Sequence, residues 1–538
     1  VELKEQEYFA ARDPEIASAA GARRKKLIAN LANSDPVLDA EYRAAKRDVD
    51  SLRHFASAGR YPLTGRGRVK TDPIFAELFR SLTAPEGRTG IIVPTGIATD
   101  ATTQYFFKDL VTTRTLAALY DFENAKPLFQ GVHRSFKFCL LTMTGRRETA
   151  DAAAFAFFLH DPSEIAAKQF ALTPGEITLL NPNTGTCPVF RTRRDAEITL
   201  GIYRRVPILI KEGDPDGNPW GISFMQGLFN MTTDSHLFRT REQLEAEGWT
   251  LEGNVFHRNG EQMLPLYEGK MIHHFDHRWA TYERDGSVRN VTQAEKQDPK
   301  FAPLPRYWTL RSDAEEANGG ALPNLFLGIR DITNSTNERT VLSAPFQAVA
   351  VGNNLPVIRG RQDVLHRLGA VLSTFVLDFV VRPKVGGVHL NFFIANQMPV
   401  LPPAAFDGQA RWCATLALSD WIDGISAELN DTSYSLMFPE RGSTPFAWNE
   451  SRRSHLRAEL DAGMFHLFGV ERRDVEYIMD TFPIVKSKDI GTHGEYRTKR
   501  LILEVYDAMQ QAIDTGTDYQ TILDPPPGHG PRHPAKES

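Results

Sequence analysis

The stretch GRTGIIVPTGIATDATTQYFFKDLV, residues 87–111, decides the fold. TGIIVP is a short apolar run behind the turn residues PEGR, and the spacing predicts a strand followed by a helix over TDATTQYFFKDLVTTR, residues 99–114. Two more short apolar runs follow, LAALYDFEN at 116–124 and FKFCLLTMT at 136–144, and an amphipathic segment, DPIFAELFRSLTA at 72–84, precedes. Apolar strands alternating with amphipathic helices predict an α/β sheet with helices packed on it, the tail of a doubly wound domain.

Working outward, residues 13–57 read as helices, with DPEI supplying an N-cap Asp and a Pro behind it. GRYPLTGRGRVK at 59–70 is basic and loop-like. Residues 1–150 are therefore read as one α/β region and 151–261 as a connecting region. The latter holds NPNTGTCPVFRTRRDAEITLGIYRRVPILI, the turn-rich GDPDGNPWGISF and a helix REQLEAEGW. Residues 262–405 mix short strands and helices with aromatic and basic positions, and 406–520 are mainly helical, clearest in RRSHLRAELDAGMFHLFG and TKRLILEVYDAMQQAI. The tail 521–538, ending DPPPGHGPRHPAKES, is expected to be disordered.

At 538 residues the chain exceeds one ordinary core, so two or three domains are expected. A formal net charge of -5 argues against coating nucleic acid by bulk charge, though Lys and Arg gathered on one face still bind it. Cys139, Cys187 and Cys413 are far apart and show neither metal nor disulfide spacing, which fits a cytoplasmic protein. The apolar run AAAFAFFLH at 152–160 is too short to span a bilayer, so no membrane partner is expected. The opening VELKEQEYF is no signal segment, and its lack of Met makes the chain read as part of a longer protein.

Familiar catalytic signatures do not emerge. GRGRV at 65–69 follows no strand and lacks a full GxGxxG, and no Walker A sequence occurs. His273 and His277 in HHFDH stand at i and i+4 without the Glu of HExxH, so no metal is expected. EGK at 268–270, with Asp216 as a distant acid, imitates half a nuclease site at a length that recurs by chance. No Ser or Cys lies in a nucleophile elbow.

The residues at 87–111, with Asp121 to Asn124, Leu128, Phe129 and VHRSFKFCLLTMTG at 132–145, resemble adenine-specific DNA methyltransferases fused to their own target-recognition region. PLYEGKMIHHFDHRWATY (265–282) is similar to the entry of that region, FLGIRDITNSTNERT (326–340) to its middle and LSTFVLDFVVRPKVGGVHLNFFIANQMPV (372–400) to its end. GEYRTKRLILEVYDAM (494–509) resembles the closing helical motif of large phage-defence methylases. The resemblance implies the second half of a Rossmann-like class I methyltransferase domain, a mixed α+β target-recognition domain at 262–405 and a helical carboxyl-terminal region. It implies S-adenosylmethionine as cofactor, bound mainly by an amino-terminal half, and double-stranded DNA with a flipped adenine as partner, alongside other defence-system subunits. The family's Asn-Pro-Pro-aromatic motif occurs nowhere in the chain and is expected upstream of Val1, so no catalytic residue is assigned and the chain alone is expected to be inactive. Pro94, Thr95, Asp121, Glu123 and Asn124 are expected to support the pocket from strand ends, with plain strand capping as the competing reading. DNA contacts are expected from Arg191, Arg193, Arg194, Lys270, Arg278, Arg330, Arg382, Lys384, His389 and Asn391, with close backbone approach at the Gly pair of KVGGVHL. The alternatives are a DNA-specificity module without methylation activity and a single-chain restriction-modification enzyme whose nuclease lies outside this chain.

Overall fold

The computed structural model describes residues 2–385, 387–436 and 444–535. It is a mixed α/β protein with several sheets, divided into two units, 1–195 and 196–538.

In the first unit, Asp13 and Asp35 each place a carboxylate on the amide three residues on and are followed by Pro, which starts the helices Pro14–Ser18 and Pro36–Phe55. With Glu5–Ala10 and Gly21–Ser34 they enclose a small core of Phe9, Ile16, Leu31, Leu38 and Tyr42. Helix α1 (Thr71–Leu82) then leads into β1 (Arg88–Pro94), helix α2 (Gln104–Thr112), β2 (Leu116–Glu123) and β3 (Lys137–Thr144), close to the predicted elements. The sheet continues through β4 (Ala153–Leu159) and β5 (Phe170–Leu172) in the order β1-β3-β2-β4-β5. Antiparallel β3 lies between β1 and β2, and β4 runs parallel to β2, so β1, β2 and β4 all point the same way. The division expected after residue 150 thus falls inside one sheet. AAAFAFFL is fully apolar because it is an inner strand buried beside β2, and its Phe155 and Phe157 sit in the core.

On β1, by contrast, Arg88, Gly90, Ile92 and Pro94 are all exposed on one side, and among the described residues only β3 pairs with it. Phe75, Phe79 and Leu82 of α1 are exposed as well.

In the second unit, Leu325–Ile329 is flanked by Ser343–Gln347 and Val357–Arg359, with Ser223–Met225 at the far edge. A second sheet orders Trp308–Leu310, Glu261–Tyr267, Val255–Arg258 and Thr250–Glu252. Leu264, Leu266, Phe326, Phe346 and Val351 share one core. The boundary expected at 261/262 cuts the hairpin Val255–Tyr267, and the folded region reaches back at least to Ser223. Helices Leu418–Asn430, Glu450–Leu467, Arg472–Asp480, Pro483–His493 and Arg497–Thr515 make the helical part.

Of the tail expected to be disordered, residues 521–535 are docked, and 536–538 lie outside the described residues. Gly528 N donates to Glu428 at 2.8 Å, Arg452 to Pro526 O at 3.2 Å, and Ala447 N to Pro531 O at 2.8 Å. A Pro-rich strap offers few donors of its own, and its carbonyls accept from Arg452 of helix Glu450–Leu467 and from the Ala447 amide just before that helix. Among the described residues no single helix is long and apolar enough to cross a membrane, and the apolar pair Gln362–Leu372 and Phe375–Lys384 is bent by 72°.

Candidate cofactor-side and nucleic-acid site

The shared direction of β1, β2 and β4 brings their carboxyl ends to one edge, the place where open α/β sheets bind ligands. Thr95, just past β1, donates its hydroxyl to Asp121 of β2 at 2.5 Å. Asp121 is buried, and burial pushes its carboxyl up to about 6 against the pull of the Thr95 hydroxyl, Lys137 and the Phe158 backbone. Two residues along β2, Glu123 meets Lys137 Nζ at 3.4 Å and His160 Nε2 at 3.2 Å. Burial raises the Glu123 carboxyl, but the hydrogen bonds from His160 and Lys137 and the Lys137 charge outweigh it, and the net shift is downward.

A bulge in β4 completes this edge. Tyr120 and Phe122, two apart on β2, face Ala156 and Leu159, three apart on β4, and Phe158 takes a left-handed φ of 54°. Its ring receives Lys137 Nζ at 4.6 Å and the Arg191 guanidinium at 4.9 Å from the centroid. The arrangement offers a buried carboxyl whose titration is raised to about 6, an ion-paired carboxylate, an imidazole and a cation-flanked ring at one end of a sheet.

Of the five residues expected to support a pocket, Thr95, Asp121 and Glu123 belong to this edge. Pro94 is exposed on β1, opposite Phe138. Asn124 is fully buried and its amide serves the next loop, with Nδ2 donating to Phe129 O at 3.0 Å and Val132 O at 2.8 Å. For it the capping reading holds. Phe158 and His160 went unnoticed in the sequence, and Lys137 lies in the apolar run 136–144 without a site role there. A histidine directly after an apolar strand was a usable signal, whereas a positive φ at Phe leaves none.

Arg191, Arg193 and Arg194 are exposed at the entry of helix Arg193–Tyr203, where Asp195 accepts from the amides of Arg191 and Thr192.

In the second unit the candidates separate by burial. Arg278 is 0% exposed and its guanidinium donates to the carbonyls of Asp298, Lys296 and Thr432 at 2.8–3.0 Å, so it stitches loops together and does not reach a phosphate. Arg382 is likewise buried, donating to Asp378 at 3.2 Å and to Glu338 O at 2.8 Å, with Phe482 beneath it. The Lys384 amine donates to the Tyr203 hydroxyl at 2.5 Å, and burial lowers it to about 7. For Arg278 and Arg382 the assignment to DNA is corrected, because a charged side chain inside the fold is held by interior acceptors, whereas Lys384 is half-buried. Lys270, His389 and Asn391 are exposed and Arg330 half-buried, and their loops meet. His389 Nδ1 lies 2.9 Å from Asp331, and Arg330 flanks Gly269. Gly386 lies outside the described residues, while Gly387 is exposed with open space where a Cβ would stand. His277 meets Ser433 at 2.9 Å, and among the described residues no group of three or more His, Cys, Asp or Glu is placed to hold a metal.

No family model and no curated protein matches the chain. Among solved structures it is similar to the type IIL restriction-modification enzyme MmeI in complex with DNA, at 11% identity and TM-score 0.39, covering 85% of this chain and 55% of that one. The type IIG restriction endonuclease BpuSI follows at 12% identity and TM-score 0.28, covering 88% of this chain and 53% of that one. The ATP-dependent type ISP restriction-modification enzyme LlaBIII bound to DNA gives 10% identity and TM-score 0.32, covering 74% of this chain and 29% of that one. The chain spans about half the length of the first two structures. At these scores the likenesses carry no conclusion about activity, and the functional reading rests on residues of this chain.

Proposed function

We propose that the chain is the second half of the catalytic sheet, with the target-reading region, of a S-adenosylmethionine-dependent DNA methyltransferase that modifies the exocyclic amine of adenine in a restriction-modification or phage-defence system. The observation that carries the reading is the sheet edge where Thr95–Asp121, Glu123–Lys137–His160 and the Phe158 bulge converge. It is supported by β1, which among the described residues pairs only with antiparallel β3 and has one bare side, as suits the edge of a sheet that a further segment covers.

The described residues contain no glycine-rich turn after a strand, so they do not by themselves build a cradle for S-adenosylmethionine. In this reading the cofactor cradle and the Asn-Pro-Pro-aromatic motif belong to a preceding segment. The residues here line the far wall, where Asp121 and Glu123 orient the loops and His160 and Lys137 set the charge. Lys270, Arg330, His389 and Asn391 face the duplex, with the first two meeting phosphates and the others reaching base edges.

Methylation-sensitive sequencing of DNA from cells expressing the intact gene product tests this. The expected result is N6-methyladenine at one defined motif, absent in cells lacking the gene; unmodified adenines throughout would overturn the reading. The missing cradle favours one second reading, a DNA-specificity module serving a separate enzyme. Duplex binding by the intact protein without any modified adenine would select it.

A further inference from the structure

The loop between β2 and β3, AKPLFQGVHRSF at 125–136, is exposed throughout and opens at the same sheet edge as the polar cluster. Its apolar residues are largely exposed. Leu128 is 48% exposed, Phe129 42%, Val132 41% and Phe136 61%. Exposed apolar side chains grouped this densely mark a surface that meets something.

The loop is also built. Asn124, fully buried beneath it, donates to Phe129 O and Val132 O and accepts from Phe129 N at 3.1 Å, while its own amide donates to Phe136 O at 3.0 Å. Phe129 packs edge-on to Phe138 with centroids 5.0 Å apart. One clamp therefore presents Leu128 and Phe136 outward from a fixed base.

The charge of the loop indicates the occupant. Lys126 and Arg134 are its charged residues and it contains no carboxylate. Large apolar side chains rimmed by cations and free of acids suit a polyanion whose interior is apolar. A duplex, with phosphates outside and stacked bases inside, is such a partner.

We propose that the 125–136 loop is a wedge that enters duplex DNA at an opened base step, Leu128 and Phe136 taking the place of a base while Lys126 and Arg134 hold the flanking phosphates. The proposal rests on the DNA-binding reading above and adds to it the element that fills the stack.

A wedge binds most tightly where the base step is already open, since the unstacking cost is lowest there. The test compares two fluorescein-labelled 30-base-pair duplexes in anisotropy titrations with the full chain, the duplexes matched in salt and the series repeated at several salt concentrations to give the slope. One is fully paired and the other carries a single abasic site. The wild-type chain is expected to prefer the abasic duplex roughly tenfold, the scale of one aromatic–base stack. The exposed double variant Leu128→Ala/Phe136→Ala is expected to lose that preference while keeping the salt slope. Lys126→Gln/Arg134→Gln is expected to keep the preference and lower the slope by about two. Equal binding of both duplexes by the wild type, or an undiminished preference in the Leu128→Ala/Phe136→Ala variant, overturns the wedge and leaves DNA binding standing. No binding of either duplex by the wild type overturns the wedge together with the DNA reading.

Discussion

Asp378 allows a quantitative test of what holds the proposed target-reading region together. Its side chain is fully buried in the helix Phe375–Val381. It accepts from Arg339 Nε at 3.0 Å, Arg382 Nε at 3.2 Å, and the amides of Thr340 and Val341 at 2.8 and 3.3 Å. Arg339 and Arg382 are themselves 8% exposed. Asp378→Ala removes the carboxylate they share and strands two guanidiniums in the interior. Breaking one buried pair costs about 3–5 kcal/mol, and the contacts here are coupled, so a loss of about 4 kcal/mol is expected rather than a sum over all of them. Asp378→Asn keeps an acceptor for the Thr340 amide and is expected to cost about 2 kcal/mol. The triple variant Asp378→Leu/Arg339→Met/Arg382→Met is expected to recover most of the Ala loss, because it removes the charges together. Urea unfolding followed by near-ultraviolet circular dichroism, with the slope checked for constancy, reads each midpoint. An Asp378→Ala midpoint within about 1 kcal/mol of wild type would refute the reasoning that this network pins the 338–341 segment.

Other outcomes follow from the same structure. Burial lowers His273 to about 3 and His274 and His277 well below the usual imidazole range, so the stability they contribute is complete above about pH 6.5 and is lost as pH falls. The His274 ring nitrogens have no hydrogen-bond partner among the described residues, so His274→Leu is expected to fold and to flatten the decline between pH 6.5 and 5 by up to about 1.4 kcal/mol per pH unit; an unchanged decline measured by urea midpoints would exclude it. Asp121 has the opposite sign: raised to about 6, its contribution is complete below about pH 4 and lost as pH rises through 6. Thr95→Val is expected to move its titration further up, which carboxyl carbon nuclear magnetic resonance detects. Truncation after Gly516 uncovers Glu428, which receives Gly528 N and pairs with Arg452, and is expected to lower the thermal midpoint. Rapid protease removal of the tail without such a shift would show that it does not dock. Arg382→Ala is expected to lower stability and leave the salt slope of duplex binding unchanged, whereas Lys270→Ala is expected to lower that slope by about one.

The alternation of short apolar runs with amphipathic helices over 72–144 determined the strand and helix order, because burial periodicity is written locally into a chain. The long helices Glu450–Leu467 and Arg497–Thr515 were legible for the same reason. The pairing of strands was not. That β3 enters between β1 and β2, and that 153–159 completes their sheet, depends on contacts between distant segments. Of the site, Thr95, Asp121 and Glu123 were visible as polar residues at the ends of apolar runs. Phe158 and its cations were invisible because a bulge and a left-handed φ bring them together.

Charge in the sequence did not determine exposure. Lys270 and Arg278 lie eight residues apart in one motif, yet one faces solvent and the other is fully enclosed by carbonyls. The sequence by itself determined which segments are amphipathic and which residues can carry charge. Only the tertiary structure decided which charges are spent inside the fold, because a buried guanidinium must find its acceptors there while an exposed one keeps them for a partner.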